Sequence, residues 1–502
     1  MSTANAERLT SASHWKSRQI TVSAIAILPD DVLLEMFSFY LVEENRIETW
    51  HTLVHICRRW RTVVLASPLR LDLRICCTLK TRVKDMLDIW PALPLVIQAR
   101  WYETPQEEGA DNIVAALEHN DRIREIILEG FPNSLLQRFA AAAVTQEPFP
   151  ALTCLVITAS DDSEQVAVFS ETFLGGSAPQ LRSCQLRSVA IMGIQSLLST
   201  ANHLVYLGLP RIPHSTYISP EEMATCLTAM PNLKELGLGF QSPRSRPQPF
   251  NRRLPPPARV VLPALTHCSF KVVSEYIEDL VSRIEAPLLE SVHITFFNQL
   301  IFETFDTPRL GEFLAHTQVF REQSRASVVF DEDSARFHLK PRLSLGIACT
   351  GSDWQLSSMA QVCSMPLPFF STLERLYIRE GRMRRSRWQD DMENTQWTDL
   401  LQPFTAVKEL YLSNSIAQRV APALKELPME RATGVMPVLR NVFLVMMEFV
   451  PSWPTEEAIE QSVIARQLFG CPVTVYSRRG RGWVHHPSPA SRSPSISTYS
   501  FP

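Results

Sequence analysis

The sequence predicts an α/β protein: a small all-helical unit near the amino terminus, then a long solenoid of strand–helix repeats. Three observations predict it. One spelling, a residue (usually Pro) and then x-Leu-x-x-Leu-x-Leu with conservative variants, recurs ten times between Asp121 and Leu444. Helical apolar patterns separate most of these runs. Ahead of them, at 27–75, lie two apolar-periodic segments that do not follow the repeat.

Composition bounds the function. The chain has 502 residues, 45% hydrophobic and 20% charged, which excludes global disorder. A net charge of −3 disfavours direct nucleic-acid binding. Pro outnumbers Gly, 36 to 16, which argues against Gly-rich phosphate loops and suits many short elements opened by Pro. No stretch approaches the ~20 apolar residues of a membrane span. Glu448 interrupts Val442–Val450, and the short run Val22–Leu28 meets Pro29 with no small-residue cleavage pattern. No membrane partner or secretory signal is therefore expected. Ten Cys without close pairs at fixed spacing predict free thiols and a cytoplasmic or nuclear protein.

Residues 1–26 are polar and aperiodic and are expected to form a flexible arm. In the unit at 27–75, LPDDVLLEMF (28–37) places Leu28-Pro29 before two acids and then Val32, Leu33, Met36 and Phe37. Pro at a helix start loses no hydrogen bond, and Asp30 and Asp31 complement the helix dipole there. A second helix is expected over about 49–65, with Leu53, Val54, Ile56, Cys57, Trp60, Val63 and Val64 apolar. The pair carries more apolar surface than so small a unit can hide, so part of it should bury against a partner.

The region 76–476 carries the repeats: Asp121–Leu128, Pro150–Ile157, Pro179–Leu186, Asn202–Leu209, Pro231–Leu238, Pro263–Phe270, Pro287–Ile294, Ser371–Ile378, Thr405–Leu412 and Pro437–Leu444. Adjacent starts lie 23–34 residues apart, except for one gap of 84. The last two apolar residues of each run share a strand face, and the first turns inward as the strand begins. Helical patterns lie between: Ile113, Val114 and Leu117; Leu135, Leu136 and Phe139; Ile277, Leu280, Val281 and Ile284; Ile416, Val420 and Leu424. One unit cannot bury its own apolar face, whereas stacked neighbours form a continuous core. The pattern resembles leucine-rich repeats of the irregular, longer kind; an ordinary α/β sheet of strand–helix units is the other reading. The resemblance implies a horseshoe with helices on its convex side.

The long gap holds three β-like runs, Ala326–Phe330, Ala335–Leu339 and Arg342–Cys349, and a helical run Trp354–Cys363. It reads as an insertion at about 296–350, or as degenerate repeats. Residues Gln241–Arg259, rich in Pro and Arg, read as an exposed loop. Thr455–Leu468 reads as a terminal helix and Pro472–Tyr476 as a closing strand. The tail 477–502 lacks a core pattern and is expected to be disordered.

LPDDVLLEMF followed by LVHICRRWRTVV resembles an F-box. Leu28, Pro29, Asp31, Val32, Leu33 and Phe37 match its first half, and Cys57, Arg58, Arg59, Trp60 and Arg61 its second. SPLRLDLRI resembles the exit from the box in large fungal F-box families, with Leu71 where those usually have Trp. An F-box followed by leucine-rich repeats is similar to F-box proteins of mushroom-forming fungi. The resemblance implies a substrate-recognition subunit of an SCF-type cullin–RING ubiquitin ligase, with no catalytic step and no cofactor of its own. It implies a Skp-family adaptor docked on Leu28, Pro29, Asp31, Val32, Leu33, Met36, Phe37, Leu53, Val54, Cys57 and Trp60. A protein substrate would bind the repeats. The alternative is a repeat scaffold outside any ligase.

Chemistry of its own is sought without success. There is no Gly-x-Ser-x-Gly elbow, no His-Glu-x-x-His and no Cys-x-x-Cys. Cys76-Cys77 are adjacent and cannot readily share a tetrahedral metal. Cys184 and Cys268 fall on apolar repeat positions and read as core fillers, and Cys57 as helix packing. His485-His486 have no further ligands nearby. Gly237-Leu-Gly239 lacks the third glycine of a dinucleotide loop. An unrecognised enzyme site would have to lie in the 296–350 segment. The basic run Arg379–Trp388 reads as a solvated loop or as a contact for an acidic or phosphorylated partner.

Overall fold

The computed structural model describes residues 24–486, apart from 45–48, 81–82, 91, 103–108, 145–146, 161–165, 246, 248–258, 298–306, 318–319, 321–322, 350–351, 382–393, 426–434, 446–458, 460, 462, 465, 468–471 and 480–481. The amino-terminal unit holds α1 (Ala24–Ile27), α2 (Asp30–Glu44), α3 (Trp50–Ile56) and α4 (Arg58–Ala66). The single second helix expected over 49–65 is thus two helices. Cys57 breaks it with an extended backbone, φ −156° and ψ 168°. Its thiol then accepts the Trp60 amide at 3.4 Å, serving a first-turn N–H that has no partner within the helix.

Strands and helices then alternate. The first stretch runs β1 (Ile75–Cys77), α5 (Val83–Ile89), β2 (Leu95–Arg100), α6 (Ala110–Leu117), β3 (Ile123–Phe131), α7 (Asn133–Ala142), β4 (Cys154–Ala159), β5 (Ala167–Phe169), β6 (Ser183–Arg187) and β7 (Val189–Ile191). Next come α8 (Ile194–Ser199), β8 (Tyr206–Ile212), α9 (Pro220–Thr228), β9 (Glu235–Phe240), β10 (Val260–Val261), β11 (His267–Val272), α10 (Ser274–Val281), β12 (Ile284–Glu285), β13 (Ser291–Phe297) and α11 (Pro308–His316). The chain continues through β14 (Arg325–Phe330), β15 (Ser334–Leu339), β16 (Leu343–Ala348), α12 (Ser352–Cys363), β17 (Arg375–Glu380), α13 (Asn394–Leu401), β18 (Glu409–Ser413), α14 (Asn414–Lys425), β19 (Asn441–Val445), β20 (Thr474–Arg479) and β21 (Gly482–His486). Ile284, expected to extend the helix of Ile277 and Leu280, instead opens β12, because α10 ends at Val281.

Among the described residues, seventeen strands form one sheet. Their pairings give the spatial order β1-β2-β3-β4-β6-β8-β9-β11-β13-β16-β15-β14-β17-β18-β19-β20-β21. Parallel pairing dominates, as strand–helix–strand units require. Each of the ten spelled repeats supplies one of these strands. Their inner residues stand in register across the sheet: Ile126, Leu155, Cys184, Leu207, Leu236, Cys268 and Val292 form one buried row. Cys184 and Cys268 are therefore leucine substitutes, and burial pushes both thiols up to about 12.

The 84-residue gap does not interrupt the sheet. β14, β15 and β16 form an antiparallel meander whose outer strands run parallel to their neighbours β17 and β13. Three strands thus occupy the gap in reversed chain order. Ala326 and Val328 of β14 lie opposite Leu376 and Ile378, so the apolar row continues with smaller residues.

Two ends differ from expectation or extend it. The carboxyl-terminal boundary lies later than Tyr476: β20 reaches Arg479 and β21 pairs back antiparallel, so 477–479 and 482–486 belong to the sheet instead of a disordered tail. Of the expected 1–26 arm, 24–26 are helical and open α1, while 1–23, 487–502 and most of the Gln241–Arg259 and Arg379–Trp388 stretches lie outside the described residues. Within the expected helix Thr455–Leu468, the described residues are helical and Ile459 and Val463 are buried.

Arg466 of that segment is 2% exposed. Its guanidinium donates to the carbonyls of Leu424 at 3.3 Å and Met436 at 3.2 Å, and also to Val435. It thereby ties the end of α14 to the approach to β19. Arg466→Ala would leave these carbonyls unpaired in the interior. Urea unfolding should show the carboxyl-terminal repeats weakened by about 3 kcal/mol; a loss below about 0.5 kcal/mol would contradict this role.

Candidate functional site

Among the described residues two surfaces stand out, one on the helical unit and one on the sheet. In the helical unit, the Pro29 carbonyl accepts the Leu33 amide at 3.1 Å and starts α2. Arg59 locks that start from the other half of the motif. Its guanidinium donates to the Leu28 carbonyl and to Asp30 Oδ1, from Nε at 3.1 Å and from Nη2 at 2.7 Å. Arg61 Nε donates to the Val54 carbonyl at 3.0 Å and so closes α3. The Phe37 and Trp60 rings lie 4.7 Å apart and join α2 to α4. The Leu-Pro-acid spelling and the Arg-Arg-Trp spelling are therefore the two halves of one clasp.

The residues named for a partner fall into three sets. Leu33, Phe37, Leu53 and Val54 are buried inside the unit. Leu28 and Trp60 are half-buried, and Pro29, Asp31, Val32, Met36 and Cys57 are exposed. Sequence reading missed Phe39 and Tyr40. Val32, Met36, Phe39 and Tyr40 stand at i, i+4, i+7 and i+8, one face of α2. Val32 is 42%, Met36 43% and Phe39 70% exposed. The α2 helix is thus apolar on two faces, and only one of them is covered by its own unit. The periodicity that reveals this was readable from the sequence. On the other side the unit is anchored to the first repeats: Trp50 Nε1 donates to the Arg74 carbonyl at 2.8 Å, and the Trp50 and Trp90 rings meet at 4.9 Å.

On the sheet, the residue between the last two apolar positions of each repeat points away from the buried row. At the carboxyl-terminal end these residues are Tyr377, Tyr411, Phe443 and Tyr476, in register on β17 to β20. Their rings stack at 4.2, 4.4 and 4.9 Å with interplanar angles of 12°, 9° and 15°. All four are half-buried. Tyr411 donates to Glu409 Oε2 at 3.0 Å, and burial together with that carboxylate raises its pKa. The recurring aromatic in ERLYI, KELYL and RNVFL is the signal that sequence reading passed over.

The same row continues through Ser327 and His338 of the reversed meander. Beside them opens a cleft of about 420 Å³ lined by Gln323, Ser324, Arg325, Ser327, His338, Lys340, Tyr377 and Arg379. His338 is lowered to about 4, by burial first and then by Arg336, Lys340, His293 and Arg379. Arg379, the first residue of the basic run, thus lies in this cleft. Among the described residues no carboxylate lines it. Among the described residues no group of three His, Cys, Asp or Glu could hold a metal, and no helix is long and apolar enough to cross a membrane.

No protein-family model matches the chain, and no curated protein matches it. Among solved structures, the chain is similar to the leucine-rich repeat-containing protein LegL7 from Legionella pneumophila. The two are 13% identical over 70% of this chain and 93% of that one, at a TM-score of 0.25.

The Arg59 clasp has a local consequence. Arg59→Ala removes its bonds to Leu28 and Asp30, which are partly exposed and so worth about 1 kcal/mol. Hydrogen exchange of the amides in the first turns of α2 should quicken about fivefold. Unchanged exchange there would show that the clasp does not hold the helix start.

Proposed function

We propose that this chain is the substrate-recognition subunit of an SCF-type cullin–RING ubiquitin ligase. The observation that carries the reading is the clasp: the residues resembling an F-box form one helical unit that leaves the Val32–Met36–Phe39–Tyr40 face of α2 uncovered. That face, with Pro29 and Cys57, is where a Skp-family adaptor docks. Leu33, Phe37, Leu53 and Val54 support it from beneath. The repeats display a separate face to a protein substrate. The chain makes and breaks no covalent bond itself. It holds the substrate near the ubiquitin-conjugating enzyme and so raises the effective concentration of target lysines.

A repeat scaffold outside any ligase is the second reading, favoured by the sheet but not by the uncovered α2 face. Co-purification with a Skp-family adaptor separates the two readings. The wild-type chain should capture the adaptor, and Val32→Glu/Met36→Glu, both on the exposed face, should reduce capture at least tenfold with an unchanged melting temperature. Capture by neither protein, or equal capture by both, would sink the assignment.

A further inference from the structure

We propose that the exposed strand face binds a phosphorylated segment of its partner protein. The phosphate would sit in the cleft bounded by Arg325, Lys340 and Arg379, and a flanking apolar side chain on the Tyr377–Tyr411–Phe443–Tyr476 ladder. This rests on reading the strand face as the substrate surface, and it names the chemistry recognised there.

The argument begins with charge. Neighbouring cations on this face are neutralised: Arg336 pairs with Asp331 at 2.8 Å and Arg375 with Glu409 at 2.8 Å. Arg325, Lys340 and Arg379 line one cleft, and among the described residues they have no ion-pair partner and no carboxylate lines that cleft. Burial first, and then the nearby Arg336, Lys340, His293 and Arg379, keep His338 neutral. In a chain of net charge −3 this is a local concentration of positive charge rather than a general one. An anion entering the cleft relieves the mutual repulsion of the three cations.

The reversed meander creates this arrangement. It places Arg325 at the start of β14 and Lys340 just beyond β15, while Arg379 comes from β17. The floor between them is the row Ser327, His338 and Tyr377. Ser324 and Ser327 add hydroxyl donors. A carboxylate brings one charge and two oxygens. A phosphate monoester brings roughly −1.5 to −2 and three acceptor oxygens, which suit two guanidinium forks and an ammonium. The aromatic ladder next to the cleft favours a peptide over a nucleic acid. Its rings are closely stacked on one another, leaving no gap for a base to insert.

The test uses the immobilised full chain and degenerate peptide libraries with one fixed central residue: phosphoserine, serine or glutamate. A 20-nucleotide single strand of DNA serves as a further probe. The phosphoserine library should be retained at least tenfold better than the other two libraries and the DNA. Retained peptides should be enriched in apolar residues beside the phosphoserine. Arg325→Glu/Arg379→Glu should abolish the phosphate preference. Tyr411→Ala should remove the apolar enrichment while the preference persists. Equal retention of phosphoserine and serine, glutamate matching phosphoserine, DNA matching phosphoserine, or indifference to the charge reversal would each overturn the inference. Adaptor capture on the same chains reads the ligase assignment separately. Phosphopeptide binding without adaptor capture leaves this inference standing and removes the ligase. Adaptor capture without phosphate preference does the reverse.

Discussion

A strand–helix unit of this chain has one apolar face and nothing of its own to put against it. Burial of that face requires the next unit, in parallel and in register. The row from Ile126 through Leu155, Cys184 and Leu207 to Val292 is the physical expression of that requirement. It fixes which strand faces are closed. By exclusion, it also fixes which side chains are left to meet other molecules.

Two features follow from how the requirement is met at difficult places. Where the spelling fails for 84 residues, the sheet is continued by three antiparallel strands laid down in reverse. Inward positions stay apolar through Ala326, Val328, Phe337 and Leu345, while the outward positions receive Arg325, Ser327, Arg336 and His338. At the amino end, the helical unit is tied to the approach to the first strand by the Trp50–Arg74 hydrogen bond and keeps a second apolar face of α2 outside. The closed core thus separates two accessible surfaces at different places on the molecule. That separation suits a protein that grips one partner while presenting another.

Much of this was legible in the sequence, because the buried rows are spelled by leucines at fixed spacing. The ten repeats each became a strand, and the three β-like runs of the gap became β14, β15 and β16. What stayed hidden had weak spelling for physical reasons. β2 is one residue short of the pattern: Leu95 lies opposite Ile123, and a bulge follows before Ile97 meets Ile126. Ala99 then stands where its neighbour has Leu128. β20 was readable in Pro472–Tyr476, but its return strand β21 is an edge joined by backbone hydrogen bonds, which no apolar pattern announces. The break at Cys57 has neither Pro nor Gly to mark it. Of the candidate site, the motif residues were readable, but which of them point inward was not, since Val32 and Leu33 or Met36 and Phe37 differ only in which way a helix turns.

Hydroxyl-radical footprinting of the full chain, alone and with a purified Skp-family adaptor, tests the division of labour most directly, because it reads individual side chains. The adaptor should protect Met36, Phe39 and Tyr40 and leave Tyr377, Tyr411 and Phe443 as reactive as before. Protection of the strand-face aromatics with α2 unaltered, or no protection at either place, would contradict it.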